Sequence, residues 1–261
     1  MKILFIGDIV GKPGRRVVEN LLPGLRQEHG VDFVIANAEN SAGGLGTTPE
    51  VLRDLKGLGI DGFTMGNHTW RKKAIIPVMD QFPELVRPAN FPDDLPGRGM
   101  TVLRTATGGA LGLVNLLGRV YMEPFECPFR HADRAIAALR EETRVILVDM
   151  HAEATSEKAA LGWHLDGRCT AVVGTHTHVQ TADAWIMPGG TAFITDVGMC
   201  GPLHSVIGTE VSPVLDKFRR GMPHKFEVAG GPAVFSAVLI EADEASGRAR
   251  RIATIFTREA A

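Results

Sequence analysis

Cysteine is scarce. Cys127, Cys169 and Cys200 are the only three in 261 residues, and they are widely spaced with no Cys-x-x-Cys pair. That excludes a disulfide framework and a cysteine-zinc or dithiol redox site, so each is expected to be a free, buried thiol. An excess of charge is also missing, since 28 Lys and Arg against 30 Asp and Glu leave a formal net charge of -2. A polyanion binder ordinarily carries a basic surplus that displaces counterions. No strong nucleic-acid binding is therefore expected, and any phosphate affinity must be local. There is no basic run and no obvious aromatic stacking motif. The apolar stretch 1–6 is too short for a signal segment or a membrane span and is cut off by Gly7 and Asp8, which gives the expectation of a cytoplasmic protein without membrane association.

What is present is ordinary globular material. A hydrophobic share of 44% with 22% charged residues excludes disordered and fibrous classes. The length allows a large core, and no repeat, low-complexity tract or composition break marks a linker, so residues 1–261 are expected to form a single domain.

The pattern along the chain predicts two sheets. Residues 2–7 form a short apolar run ended by glycine, as a strand buried on both faces does. Val17, Val18, Leu21, Leu22 and Leu25 recur at helical spacing within 14–28, where Pro23 is expected to kink or split the helix. A strand at 33–37 follows. Pro49 then opens a helix carrying Val51, Leu52, Leu55 and Leu58, with Gly59 available to cap it, and a third strand lies at 62–66. This alternation to about residue 90 implies a parallel sheet. Segments 100–106 and 110–117 flank Gly108 and Gly109 as an antiparallel hairpin and begin a second sheet. A helix over 128–142 and strands at 145–150 and 171–174 come next. The hairpin pairs 184–187 with 191–195 and 233–241 with 249–256 complete an α/β arrangement of two sheets with helices outside.

Polar side chains recur at the ends of these strands, the edge where α/β sheets gather functional groups. Asp8 follows a buried strand, so its carboxylate must cap a helix, pair or bind metal. Glu39 and Asn40 close another strand and lead into a glycine-rich loop. They suit a surface turn, or a carboxylate bridging two cations beside a neutral oxygen ligand. Asn67 and His68 follow Gly66. Asn67 could cap a turn, whereas His68 is a candidate general acid rather than a ligand. His151 alone reads as a hydrogen-bonded structural histidine. His176 and His178, alternating on an expected extended segment, should face one pocket as metal ligands. The combined nitrogen and oxygen donors, without a thiol, suit Mn, Fe or Zn.

In order and spacing, Gly7-Asp8, Glu39-Asn40, Gly66-Asn67-His68, His151 and Gly174 through His178 resemble the calcineurin-like metallophosphoesterase superfamily over most of the chain. Val10 stands where its first motif has His, Glu39 replaces the bridging Asp, and Thr175 precedes the paired histidines. With Asn40 filling the vacancy, the pattern looks like the bacterial YmdB-like phosphoesterases, whose Gly-Asp-Ile-Val-Gly start matches Gly7 to Gly11. The resemblance implies a four-layer α/β/β/α sandwich, two central mixed sheets flanked by helices, and phosphodiesterase activity on cyclic nucleotides or related small phosphodiesters. It also implies two divalent ions, Fe or Mn with Zn as an alternative. One ion would take Asp8, Glu39, Asn40 and His178. The other would share Glu39 and add Asn67, His151 and His176, leaving His68 as proton donor.

Paired ions activate water and hold phosphate oxygens for in-line attack. The same core would serve a nucleotidase or phosphomonoesterase, or attack a carbon centre. A regulatory RNA-associated protein with a weakly active metal site is the reading from another class. The partner expected is a small phosphate ester, a nucleotide by preference, and a homo-oligomer is left open.

Overall fold

The computed structural model describes residues 1–259, so positions 260 and 261 of the expected domain lie outside the described residues. The first half alternates strands and helices: β1 (Lys2–Ile6), the two-residue β2 (Asp8–Ile9), α1 (Gly11–His29), β3 (Phe33–Asn37), α2 (Pro49–Gly57), β4 (Gly62–Thr64) and β5 (Leu85–Val86). Then come β6 (Met100–Arg104), β7 (Ala110–Leu117), α3 (Pro128–Leu139), β8 (Ile146–His151), α4 (Thr155–Leu165) and β9 (Ala171–Thr175). The chain finishes with β10 (Trp185–Ile186), β11 (Ala192–Ile194), β12 (Met199–Pro202), α5 (Val211–Arg220), β13 (Ala233–Ala242) and β14 (Ala249–Arg258).

These strands make two mixed sheets. The first runs β2-β12-β13-β1-β3-β4-β5, with β14 also paired to β13, and the second runs β10-β11-β9-β8-β7-β6. In the first sheet β1, β3, β4 and β5 are parallel, while β13 is antiparallel to β1. In the second, β7, β8, β9 and β11 are parallel, and the predicted hairpins β6–β7 and β10–β11 are antiparallel.

Alternation along the strands assigns the layers, because successive side chains point to opposite faces. Leu4 and Ile6 of β1 pack with Val17, Val18 and Leu22 of α1 and Leu52 and Leu55 of α2. Ile3 and Phe5 turn the other way and meet Leu111 and Leu113 of β7, Leu147 of β8 and Val173 of β9. The far face of the second sheet, with Val114, Val148 and Val172, is covered by Ala132 and Ile136 of α3 and Leu161 and Leu165 of α4. Helix, sheet, sheet and helix are thus stacked as four layers, the sandwich the resemblance implied. No helix among the described residues is long and apolar enough to cross a membrane.

Three features depart from the sequence pattern. Of the kink or split expected at Pro23, the split is absent: α1 runs unbroken from Gly11 to His29. One lost backbone bond is outweighed there by burial of Val17, Val18 and Leu22, and Gly30 at φ 61° closes the helix instead. Helix α4 has no counterpart among the expected elements because its inward face includes the buried polar residues Glu157 and Lys158, which blur the apolar period. Helix α5 escapes the pattern for the opposite reason: it buries only Val214, so apolar residues such as Leu215 and Phe218 remain exposed.

The inter-sheet layer is the core on which the site rests. Phe5→Ala should destabilise the protein by about 3–5 kcal/mol in denaturant titration; a loss below about 1 kcal/mol would mean the two sheets are not held by this layer.

Candidate metal centre

Parallel strands from both sheets end at one place. The first sheet brings Asp8 after β1, Glu39 and Asn40 after β3, and Asn67 and His68 after β4; the second brings His151 at the end of β8 and His176 and His178 after β9. All eight sequence-predicted residues meet here. Glu39 and Asn40, for which a surface turn was an alternative, are fully buried.

Glu39 occupies the middle. Its Oε2 accepts the backbone N–H of His68 at 2.9 Å, which leaves Oε1 facing His151 Nε2 at 3.1 Å, His68 Nδ1 at 3.1 Å and the Asn40 amide at 3.4 Å. On one side of it, His151 Nε2 lies 3.0 Å from both Asn67 Oδ1 and His176 Nδ1. A carboxylate and two imidazoles thereby present donor atoms within 4.8 Å of one another. On the other side, His178 Nε2 lies 3.2 Å from the Asn40 amide and 3.7 Å from Asp8 Oδ1. The contacts set Asn67, His151 and His176 on one side of Glu39 and Asp8, Asn40 and His178 on the other.

Backbone geometry makes this crowding achievable. A Cβ on Gly66 would stand 2.3 Å from the His151 ring and 2.4 Å from Glu39 Oε2, so only glycine lets β4 approach the centre this closely. His176 and His178 do not lie on an extended segment as expected. Their φ angles are +102° and +65°, so the chain coils after β9 and the two rings enter different groups. Asp196 pins that coil by accepting both the N–H and the hydroxyl of Thr177, at 3.0 and 2.7 Å, and is itself paired with the buried Lys158 at 2.7 Å.

Each ligand-type imidazole has its second nitrogen occupied. His151 Nδ1 meets the Thr175 hydroxyl at 2.9 Å, and that hydroxyl donates to Asp149 at 2.7 Å; the hydroxyl's single proton being used, it must accept from His151. His176 Nε2 faces Glu153 at 3.1 Å, and His178 Nδ1 donates to the Ile207 carbonyl at 2.8 Å. All three rings therefore turn a lone pair inward in their neutral form, the arrangement that surrounding acceptors impose on metal-binding histidines. His68 differs: its Nδ1 is engaged by Asn40 Oδ1 at 2.7 Å and by Glu39, which leaves Nε2 for other partners.

The charges suit a cation. Asp8 Oδ2 accepts the N–H of His176, but Asp8 Oδ1 is buried without a hydrogen-bond partner, a costly state for a carboxylate unless a cation supplies the missing contact. The adjoining cleft of about 340 Å³ is lined by Glu39, Glu153 and Glu227 together with Leu45, Ile207 and Phe226, and has no lysine or arginine in its walls. Burial works to raise the Asp8 and Glu39 carboxyls, yet the imidazoles of His178 beside Asp8 and of His151 and His68 beside Glu39 hold both below the ordinary range. The reciprocal effects appear on the histidines. Despite burial, Asp8 lifts His178 to about 9, and Glu39 raises His151. His176, by contrast, is pushed down to about 3 by burial and by its neighbour His151, so it is neutral at physiological pH. Donor set, orphaned oxygen and anion-rich surroundings all fit divalent cations.

Glu153, Thr175, Asp149 and Ile207 are not among the sequence-predicted site residues. Asp149 carries a signal, a lone carboxylate inside the apolar run 145–150, which must find donors when buried. Ile207 carries none, since its part is played by a backbone carbonyl in a left-handed conformation at φ +46°.

Comparison with known proteins places the chain in a family: residues 4–255 match the family described as YmdB-like protein, and the chain belongs to it. A Bacillus subtilis (strain 168) relative named 2',3'-cyclic-nucleotide 2'-phosphodiesterase is 48% identical, over 99% of this chain and 98% of its own. Among solved structures, a hypothetical protein from Thermus thermophilus superposes with a TM-score of 0.93 at 42% identity, with full coverage of both chains. A structure titled as a novel phosphatase of Mycoplasma pneumoniae superposes with a TM-score of 0.92 at 37% identity, covering 99% of this chain and 93% of that one.

Ion uptake by the metal-free protein should expel protons, because His178 and His151 must surrender inward protons to become ligands. A histidine with a raised pKa stabilises the ion-free fold below its ordinary pKa and loses that contribution as pH climbs through the raised value, here about 9 for His178. Ion affinity runs the other way and should grow by about tenfold per pH unit between pH 7 and 9 for the proton displaced from His178. Calorimetry with Mn²⁺ in buffers of different ionisation enthalpy counts the protons; uptake without proton release would remove both histidines from the ligand set.

Proposed function

We propose that this chain is a two-ion phosphodiesterase that hydrolyses 2',3'-cyclic nucleotides or related small phosphodiesters. The observation that carries this reading is the pair of donor groups about Glu39, with the unsatisfied Asp8 Oδ1 directed into one of them. Asp8, Glu39, Asn40 and His178 would hold one ion, and Glu39, Asn67, His151 and His176 the other. Fe or Mn suits the mixed oxygen and nitrogen donors, and Zn is the next choice. Bound there, the ions supply a water nucleophile at neutral pH and positive charge against the phosphoryl oxygens.

The chain's own groups do the rest. His68, fixed through Nδ1 by Asn40 and Glu39, offers Nε2 to the leaving oxygen and delivers a proton as its bond to phosphorus breaks. The Thr175 hydroxyl, Glu153 and the Ile207 carbonyl keep the three ligand imidazoles in the tautomer that faces the ions. The apolar wall of Leu45, Ile207 and Phe226 gives a nucleobase a face to rest on beside the phosphate. Since both sheets contribute to one centre, residues 1–261 are best treated as one domain. Free Cys127, Cys169 and Cys200 suit a reducing, cytoplasmic setting.

Two outcomes test the assignments. The protein should bind close to two transition-metal ions, and Glu39→Ala should empty both sites, since the shared carboxylate is lost from each. Because no lysine or arginine lines the cleft and the imidazolium of His178 is matched by Asp8, chelation should weaken retention of nucleotide as well as abolish turnover. Metal analysis with both sites still filled in the Glu39 variant would reject the shared-ligand assignment.

His68→Ala should preserve metal content and lower diester hydrolysis roughly 100-fold or more when the leaving group is a poor alcohol. A phenolic leaving group, which needs little protonation, should suffer less. Loss of an ion in this variant would make His68 a ligand, and equal losses for both leaving groups would leave it only a positioning role.

A further inference from the structure

A second cleft opens beside the centre and has no part in the chemistry described so far. Its walls are Asn67 and His176, two of the proposed ion ligands, with Tyr121, Met122, Glu123 and Pro124. It shares His176 with the cleft that holds Phe226, whereas His68 lines only the latter. Tyr121 is the only tyrosine in the chain. Its side chain is 91% exposed and its backbone is left-handed, at φ +61°. Folding gains little from such a placement, because an exposed ring buries no apolar surface and a left-handed conformation is unfavourable for a residue with a Cβ. A side chain held so at the edge of a site is suited to cover a ligand.

In-line displacement at phosphorus separates the two ester arms, since water enters opposite the oxygen that leaves. A cyclic mononucleotide carries both ester oxygens on one sugar and needs room for one nucleoside. A linear diester needs two spaces that meet at the phosphate, and the two clefts meeting at His176 provide them.

Resting on the phosphodiesterase reading above, we propose that the Tyr121 cleft is a second nucleoside subsite and that linear dinucleotides are substrates alongside cyclic ones. The leaving nucleoside lies in the Phe226 cleft, where His68 can reach its oxygen, and the nucleoside that keeps the phosphate stacks on Tyr121. Water adds to phosphorus, the bond to the leaving oxygen breaks, and that oxygen takes the proton from His68. The products are one nucleoside and one nucleoside monophosphate.

The test uses the ion-loaded full chain with adenylyl-(3′→5′)-adenosine and 2',3'-cyclic AMP. Tyr121→Ala, at an exposed position, should raise KM for the dinucleotide by about tenfold or more, the usual worth of one base stack, and should leave the cyclic nucleotide within about twofold. Tyr121→Phe keeps the ring and should behave as the unaltered protein. As a readout apart from turnover, calorimetry on ion-loaded His68→Ala should show dinucleotide binding that weakens by the same factor when Tyr121→Ala is added. Hydrolysis of the cyclic nucleotide without binding of the dinucleotide would overturn the second subsite and leave the phosphodiesterase reading standing. Equal losses for both substrates in Tyr121→Ala would also overturn it, and failure to turn over either diester would bring down both.

Discussion

Two buried carboxylates with no lysine or arginine against them set the terms for the rest of this protein. Asp8 and Glu39 are fully buried at the seam between the sheets, where an isolated carboxylate is too costly to ionise. Their nearest counter-groups among the described residues are imidazoles, which can be charged in the absence of ions and neutral in their presence. A lysine or arginine in the same place would neutralise the carboxylates permanently and compete with any cation. Residues able to change charge therefore leave the centre free to take a metal, and on the proposed reading the substrate's phosphate would find its positive partner in the ions.

That requirement explains the shape of the surrounding backbone. Parallel strands of two sheets deliver donors only as far as their carboxyl ends, so the remaining distance is closed by irregular geometry: Gly66 against His151 and Glu39, and left-handed His176, His178 and Ile207. Conformations of this kind persist only where neighbours over-determine them. Asp196 does so by gripping Thr177 through two hydrogen bonds, and the Lys158 ammonium balances its charge at 2.7 Å. A single buried ion pair behind the site thus orients two candidate ligands, His176 and His178, at once. Removing one partner would leave a lone buried charge, a larger penalty than the pair's net worth.

Much of this is legible in the sequence, for identifiable reasons. Strands such as 33–37 and hairpins such as 100–117 announce themselves through period and glycine placement, and Asp8, Asn67 and His151 stand out because each is a polar residue at the end of an apolar run. The fold's order of layers is legible once the inward and outward residues of β1 are separated. The acceptors behind the ligands are harder to see. Glu153 looks like any surface glutamate until His176 is placed beside it, and a carbonyl such as that of Ile207 has no signature in residue type. Helix α4 is obscured by Lys158, so the residue that supports the site also hides the element carrying it.

The three acceptors behind the histidines also make the two donor groups unlike. His178 gives its outer proton to a neutral backbone carbonyl, and the group it joins relies on Asp8 and Asn40. His176 faces a carboxylate, Glu153, and His151 reaches the buried carboxylate of Asp149 through Thr175. Burial pushes Asp149 up to about 6, which still leaves it mostly ionised at neutral pH, so that relay ends on a carboxylate. A carboxylate behind an imidazole makes the ring a stronger donor than a carbonyl does. The group with two such histidines and no aspartate therefore draws its negative charge partly from the layer behind it, whereas the other takes it directly from Asp8. On the proposed two-ion reading, the two donor groups beside Glu39 would therefore take their negative charge by different means, and substitutions behind the histidines would bear on one far more than on the other.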